Sequence, residues 1–327
     1  MILRLTRTMS PIGAPLALAI GNFDGVHLGH QAILAAGIDA ARDQGLTFAA
    51  MTFHPLPRDF FAKLRKDRSF APPTLMSTIE KLAALVEAGV EHAYIPRFNA
   101  DFAAQSPEEF VSALVQMEVR WLMVGEDFRF GAKRAGDAET LRQAGASRGF
   151  KLETMPDVVI EQERISSTAI RDALGSGCLA AAARMLGRPY TIVGRVMHGK
   201  KLGRTLGFPT ANITLSRRSP ALSGVFAVQC RIVTRGLEGV AGTEKNQGAT
   251  IVNGVANLGI NPVVSVDGHH HLEVFLFDFA ADIYGHRLAC TFIEKIRDEQ
   301  NFVNLDALRL QMHDDVLKAK NILRMDK

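Results

Sequence analysis

The sequence predicts an α/β domain followed by an antiparallel β domain that a single helix completes. Short apolar runs alternate with helical patterns from residue 16 to about 175, the rhythm of βαβ units on a parallel sheet. From Tyr190 onward, strand-like runs follow one another without helices between them until the last segment. The length of 327 residues also exceeds what one core serves, since domains cluster at about 100–150 residues. The boundary is placed near Gly187–Pro189, giving domains 1–186 and 187–327.

The elements follow in order. "PLALAI" is read as a first buried strand, although Arg4 and Arg7 before it imitate a signal peptide; cleavage there would remove the polar corner that follows. "LTFAAMTF", "HAYIPRF", "VRWLMVG" and "KLETMP" are the further strands of this half. Between them "HQAILAAGIDAARDQG" sets Ile33, Leu34, Ile38 and Ala41 on one helical face. Ser77 with Glu80 forms a capping box, and Ser106, Pro107 and Glu109 open another helix in the same manner. In the second half the strands are "YTIVGRV", "GVFAVQCRIV", "ATIVNGVANLGI", "HLEVFLFDF" and "RLACTFIEKI". "LDALRLQMHDDVLKAKNIL" places Leu305, Leu308, Met312, Val316 and Leu323 on one stripe, a helix expected to dock on the β domain. "GTEKNQG", residues 242–248, is expected to be an exposed loop.

Composition narrows the function class. Charged residues make up 22 % and hydrophobic ones 47 %, so long disorder is not expected. A net charge of +4 is a mild bias toward phosphate-bearing partners; the basic residues are scattered and lack an aromatic platform, so nucleic acid is not expected as a partner. Cys178, Cys230 and Cys290 are far apart in sequence and form no CxxC pair, which fits a reducing cytoplasm better than a disulfide framework or a zinc site. No apolar run reaches the ~18–20 residues that span a membrane.

"GNFDGVHLGH", residues 21–30, lies where a strand ends and a helix begins, at the carboxyl edge of an expected parallel sheet. Such a corner favours anions, because free helix N–H groups point outward and Gly21, Gly25 and Gly29 let the backbone approach a ligand. His27 and His30, three apart, project together and suit phosphate oxygens. On these ten residues alone, surface histidines on a glycine turn fit equally well. Zinc fits less well, since His27 opens no HExxH and His54 has no acid or cysteine at ligand spacing. "RISSTAIRDAL" adds a second helix start with Ser166, Ser167 and Thr168 at its cap and Arg171 one turn in, again suited to a phosphate chain.

"GNFDGVHLGH" with "ISSTAIR" resembles the HxGH nucleotidyltransferase superfamily, whose domain is Rossmann-like, and "VGEDFRFGAKRAGD" narrows the resemblance to the FAD synthetase module. The resemblance implies that Gly21, Asn22, Phe23, Asp24, Gly25, His27, Gly29 and His30 line an ATP site that Ser167, Thr168 and Arg171 complete, with Asp127 on the flavin side. Leu56 in "TFHPLP" stands where that family often has a second histidine, so no polar role is carried to it.

"GRVMHGKKLGRTLGFPTANI" imitates a P-loop through Gly194, Gly199 and Lys200, but Lys201 replaces the required Ser or Thr and no helix pattern follows. It reads instead as a flexible basic loop containing Gly199, Lys200, Gly203 and Arg204. Thr210 and Asn212 then offer oxygen ligands suited to magnesium. "GFPTAN", "LEVFLFDF", "DIYGHRL" and "FIEKIRDEQNF" are similar to the riboflavin kinase family in order and spacing. The two resemblances together cover residues 15–325 and point to the bifunctional bacterial riboflavin kinase and FAD synthetase family. They imply that Thr210 and Asn212 bind Mg²⁺–ATP with Gly199, Lys200 and Gly203, that Glu273 is the general base, and that Arg297 and Phe302 lie on the flavin side.

The implied chemistry is phosphorylation of riboflavin to FMN in the second domain and adenylylation of FMN to FAD in the first. Glu273, His27, His30 and Arg171 are the expected catalytic groups. "GINPVV", residues 259–264, lacks a threonine common in the family, and residues 236–250 are longer than expected between two strands. Two rival readings follow from these departures: only one half works, or the chain binds flavin without turnover. "DGHHH", residues 267–271, reads as solvated histidines rather than a metal site.

Overall fold

The computed structural model describes residues 3–67, 71–199, 206–216, 219–233, 250–260 and 270–325. By packing, the chain divides into two compact units, Met1–Pro72 with Ala84–Ile165, and Pro73–Ala83 with Ser166–Lys327. The loop at residues 242–248, Lys200, Lys201, Gly203, Arg204 and all but the first two residues of "GINPVV" lie outside the described residues.

The first unit is built on a six-stranded parallel sheet. Its chain runs β1 (Arg4–Thr6), β2 (Leu16–Ile20), α1 (Leu28–Gln44), β3 (Thr47–Met51) and α2 (Pro57–Arg65); α3 (Thr78–Glu87), whose residues up to Ala83 belong to the second unit, and β4 (His92–Tyr94) follow. Then come α4 (Ala100–Ala104), α5 (Pro107–Gln116), β5 (Val119–Gly125), a hairpin of β6 (Arg129–Phe130) and β7 (Gly136–Asp137), α6 (Ala138–Arg148), β8 (Lys151–Met155), and a second hairpin of β9 (Val159–Ile160) and β10 (Glu163–Arg164). The sheet order is β1-β4-β3-β2-β5-β8, so successive strands move outward from β2 to one side and β5 then returns to its other side. Ligands of open α/β sheets bind at such a reversal, outside the carboxyl ends of the strands.

Every residue of β2 is buried, which explains its unbroken apolar run: a central parallel strand is covered on both faces. It is the first buried strand, as expected; a short edge strand, Arg4–Thr6, precedes it and pairs with His92–Tyr94. The three residues of that edge strand, Arg-Leu-Thr, are too few and too exposed to carry an apolar pattern. On α1 the buried positions are Gly29, Leu34, Gly37 and Ala41, whereas Ile33 and Ile38 are only half-buried. Gly37 is required there, since a Cβ would lie 2.3 Å from the Phe48 ring. The expected capping boxes at Ser77–Glu80 and Ser106–Glu109 both form.

The second unit is a closed antiparallel barrel of order β11-β12-β15-β14-β13-β16. α7 (Ser167–Gly175) and α8 (Leu179–Leu186) precede it, and β11 (Thr191–Met197), β12 (Thr210–Thr214), β13 (Gly224–Val233), β14 (Ile251–Ile260), β15 (His270–Leu276), β16 (Arg287–Arg297) and α9 (Leu305–Ile322) follow. β12 is a strand the sequence did not announce: its Thr-Ala-Asn-Ile-Thr run is mostly polar and lies inside what reads as a basic loop. In β15, buried Leu272, Val274 and Leu276 alternate with Glu273 and Phe275, so the carboxylate points away from the barrel interior.

Two features depart from the sequence expectation. Leu305 of the expected stripe is 55 % exposed; Val316 and Leu323 do pack, joined by Ala319 and Ile322, next to a buried Asp315. The segment 164–174 does not leave a strand of the parallel sheet; α7 follows the β9–β10 hairpin and packs with α8, which packs on β16. Residues 73–83 belong to the same unit because three polar contacts tie them to it. The Tyr190 hydroxyl donates to Leu75 O at 3.0 Å, Thr74 N donates to Ser219 O at 3.0 Å, and Val193 N donates to the buried Glu80 carboxylate at 2.6 Å. Nothing in the local pattern of 73–83 announces such distant partners.

Candidate active sites

In the first unit the chain leaves β2 and turns sharply before α1. Gly21 N donates to Met51 O at 3.0 Å and the Thr52 hydroxyl donates to Asn22 O at 3.0 Å, which anchors the corner to β3. Phe23, Gly25 and Val26 all have positive φ, at 47°, 90° and 40°. Two bulky residues in the left-handed region are a costly conformation that proteins retain mainly at functional turns. Burial of both side chains, at 0 % and 1 % exposure, holds them there.

His27 is the N-cap of α1, and its Nδ1 accepts from His30 N at 3.3 Å. The two imidazoles stack at 3.6 Å and 19°, and the Phe23 ring meets His30 edge-on at 5.3 Å. Gly29 makes this possible: a Cβ there would press on the His27 ring at 3.2 Å. The motif is thus one packed object in which Gly29 admits the first histidine and the helix start orients the second.

β5 runs beside β2, so the turn after β5 opens on the same carboxyl edge. Asp127 is exposed in that turn, its Oδ1 folded back to within 3.3 Å of where a Gly125 Cβ would stand. Phe128 stacks on Phe130 at 18°, and contacts continue through Phe110 and Phe102 to Phe53 and Phe98. Sequence reasoning missed this aromatic wall. Its only trace was the 19 phenylalanines against 3 tyrosines, because the rings come from segments far apart in the chain. Leu56 stands at the N-cap of α2.

In the second unit, Ser166 caps α7 by accepting from Ala169 N at 3.1 Å, which places Ser167 and Thr168 at the open helix start. Arg171 is half-buried, and its Nε donates to Pro73 O at 2.6 Å.

The barrel brings Asn212 and Glu273 directly opposite each other on β12 and β15, and Asn257 of β14 lies opposite Glu273 on its other side. Opposed residues of antiparallel strands share a face, so the carboxylate stands between two amides. Burial pushes the Glu273 carboxyl above the ordinary carboxylate range, partly offset by His271 on the same face. Thr210 precedes Asn212 on that face, opposite Phe275. Gly199 passes against the Asn212 amide so closely that a Cβ would fall 2.1 Å from Nδ2. Beside it His198 stacks on Tyr284 at 3.8 Å, a pair that sequence reasoning also missed.

Arg297 and Phe302, expected on the flavin side, do come together: the guanidinium lies 5.7 Å from the ring centroid. Arg297 Nε and Nη2 also grip the Asp315 carboxylate at 2.9 and 2.7 Å, an ion pair that the sequence reading did not include. Among the described residues no group of three or more His, Cys, Asp or Glu could hold a metal ion, and Asp267, Gly268 and His269 of "DGHHH" lie outside them. Cys230 and Cys290 sit opposite each other in β13 and β16 as buried free thiols, Sγ to Sγ 3.5 Å, and burial raises the Cys290 thiol well above its ordinary value.

The comparisons with known proteins agree with this division of sites. The FAD synthetase family model matches residues 10–169 and the riboflavin kinase model residues 186–323. A curated bifunctional riboflavin kinase/FMN adenylyltransferase of Pseudomonas fluorescens is 40 % identical over 303 residues, covering 92 % of this chain and 91 % of the relative. The protein of that name from Escherichia coli K12 is 41 % identical over 312 residues, covering 95 % and 93 %. A Streptococcus pneumoniae crystal structure titled a macrolide-efflux protein superposes with a TM-score of 0.75 at 28 % identity, over 96 % of this chain and 97 % of that one. Among the described residues no helix is long and apolar enough to cross a membrane. With a histidine corner in one matched half, an asparagine–glutamate pair in the other, and relatives covered almost end to end, the chain belongs to the bifunctional riboflavin kinase/FMN adenylyltransferase family.

Proposed function

We propose that the chain makes FAD from riboflavin in two ATP-dependent steps, each on its own set of residues. The observation that carries this reading is that both matched halves contain built chemistry: the stacked His27–His30 pair at a helix start, and the shielded Glu273 opposite Asn212. A family resemblance without such side chains would leave one half inactive.

In the barrel, Glu273 accepts the proton of the riboflavin 5′-hydroxyl as that oxygen attacks the γ-phosphorus of ATP, giving FMN and ADP. Phosphoryl transfer asks for an aligned hydroxyl, a proton acceptor and neutralised oxygens. Thr210 and Asn212 would hold Mg²⁺ through hard oxygen donors. Two protein oxygens suffice, since this ion keeps phosphate and water ligands for its other positions. When bound, it neutralises the β- and γ-phosphate oxygens. Gly199, with Lys200 and Gly203 beyond it, is assigned to the ATP side, and Arg297 with Phe302 to the flavin side.

In the adenylyl-transfer step the FMN phosphate attacks the α-phosphorus of ATP and pyrophosphate leaves. His27 and His30 lie stacked at the start of α1, whose backbone N–H groups add to them, so hydrogen-bond donors meet the charge that grows on the leaving oxygens. Asn22, Asp24 and the glycines of the corner shape this ATP site, and Ser167, Thr168 and Arg171 are proposed as phosphate-binding residues at the start of α7. Asp127 is assigned to the flavin side, in an exposed turn beside the phenylalanine cluster of the core. We place the functional boundary at residue 186 and the protein in the cytoplasm, where its three free cysteines stay reduced.

The test is direct. The purified chain with riboflavin, ATP and Mg²⁺ should yield FMN and then FAD on chromatography, and with added FMN it should yield FAD and pyrophosphate. Flavin binding without ADP or pyrophosphate would overturn the reading.

A further inference from the structure

Asp315 is 3 % exposed, the most buried carboxylate of α9, and the Arg297 fork grips it from β16. Arg297 Nε reaches both carboxylate oxygens at 2.9 and 3.1 Å, Nη2 reaches one at 2.7 Å, and Nη1 turns to Asp298 O at 2.9 Å. Gln311, one helical turn earlier, donates to Asp315 Oδ1 at 3.0 Å. A bidentate fork of this kind fixes the plane of the guanidinium as well as its position. The guanidinium lies over the Phe302 ring, Cζ 5.7 Å from its centroid.

The barrel register connects this cluster to the kinase carboxylate. Arg297 pairs with Val225, Val225 with Asn257, Asn257 with Glu273, and Glu273 with Asn212, a single row across five strands. Neighbouring strands lie about 4.8 Å apart, so Arg297 stands roughly 14 Å along the row from Glu273, about the length of a three-ring flavin with its ribityl chain begun. A register shift beside Val225 breaks the ladder at the Arg297 end, a device that re-aims side chains at the rims of barrels.

We propose that Asp315 is a positioning residue of the kinase reaction: from the terminal helix it fixes Arg297, and through Arg297 the Phe302 ring, at the acceptor end of the row that holds Glu273. A clamp needed only to dock the helix would not require a bidentate fork whose guanidinium also lies over an aromatic ring. The proposal rests on the reading of Arg297 and Phe302 as the flavin side, and the experiment separates the two.

In the full-length protein, Asp315→Asn removes the charge and keeps the shape. Its riboflavin KM should rise about 10- to 100-fold, the effect of losing a charge-assisted pair. Its ATP KM and its conversion of FMN to FAD should stay near wild type, and Asp315→Glu should recover most of the loss. Arg297→Ala should raise the riboflavin KM similarly, and the double variant should be no worse than Arg297→Ala alone. If Arg297→Ala leaves the riboflavin KM unchanged, the flavin-side reading falls and the proposal with it. If Arg297→Ala raises it while Asp315→Asn does not, or if the two effects multiply, the proposal alone falls. Should Asp315→Asn unfold the barrel, Gln311→Ala decides: about a threefold rise in riboflavin KM with an unchanged melting temperature supports the proposal, and an unchanged KM overturns it.

Discussion

Glu273 and Asn212 stand opposite each other on β15 and β12, and burial holds the Glu273 proton more tightly than in a free glutamate. This single relationship assigns a cost and a task to one side chain. A carboxylate that is expensive to ionise is a stronger base once ionised.

Glu273→Gln should therefore separate stability from activity. Riboflavin phosphorylation should fall by about 10²–10⁴, the usual contribution of a positioned base, while added FMN is still converted to FAD. The folded-state pKa of Glu273 is raised, so its contribution to stability is present below the unfolded value and is lost as pH rises through the folded one. At pH 8 the amide should melt higher than wild type, and the difference should vanish in acid. Calorimetry at two pH values checks the sign.

The kinase should lose kcat/KM on acidification at a pH above the ordinary glutamate value of about 4.3. His271 holds the carboxyl down, so His271→Ala should move this limb to still higher pH. The FMN-to-FAD step, which does not use Glu273, should not share it. Rate–pH profiles for the two half-reactions in one preparation settle the point.

Gly29→Ala tests the histidine corner without deleting a histidine. Alanine is favoured over glycine in a helix by roughly 0.5–1 kcal/mol, yet its Cβ would press on the His27 ring at 3.2 Å. FMN adenylylation should drop by about tenfold with stability unchanged or improved, whereas His30→Ala should cost about 10²–10³ in the same step, the scale of losing a charge-stabilising donor. Riboflavin phosphorylation should survive both changes.

Gly37→Ala is the structural control. Its Cβ would fall 2.3 Å from Phe48 Cε2 in the core, so overpacking should destabilise by about 1–3 kcal/mol, outweighing the gain in helix propensity. Urea denaturation followed by near-ultraviolet dichroism reads this directly. Phe48→Leu should relieve part of the loss if the clash is the cause.

Local periodicity was enough to read the main strands of the parallel sheet, the capped helices and the β-only texture of the second half, because each depends on neighbours within a few residues. "GNFDGVHLGH" was legible as an anion corner for the same reason: cap, glycines and both histidines occupy one turn of chain. Tertiary structure alone decided what arrives from a distance. It set the short edge strand at Arg4–Thr6, the polar strand Thr210–Thr214, the aromatic wall, the membership of residues 73–83, and the grip of Arg297 on Asp315. Strand register and ion pairing are set by partners tens of residues away, and a buried charge is recognisable as tolerable only once its partner is in place.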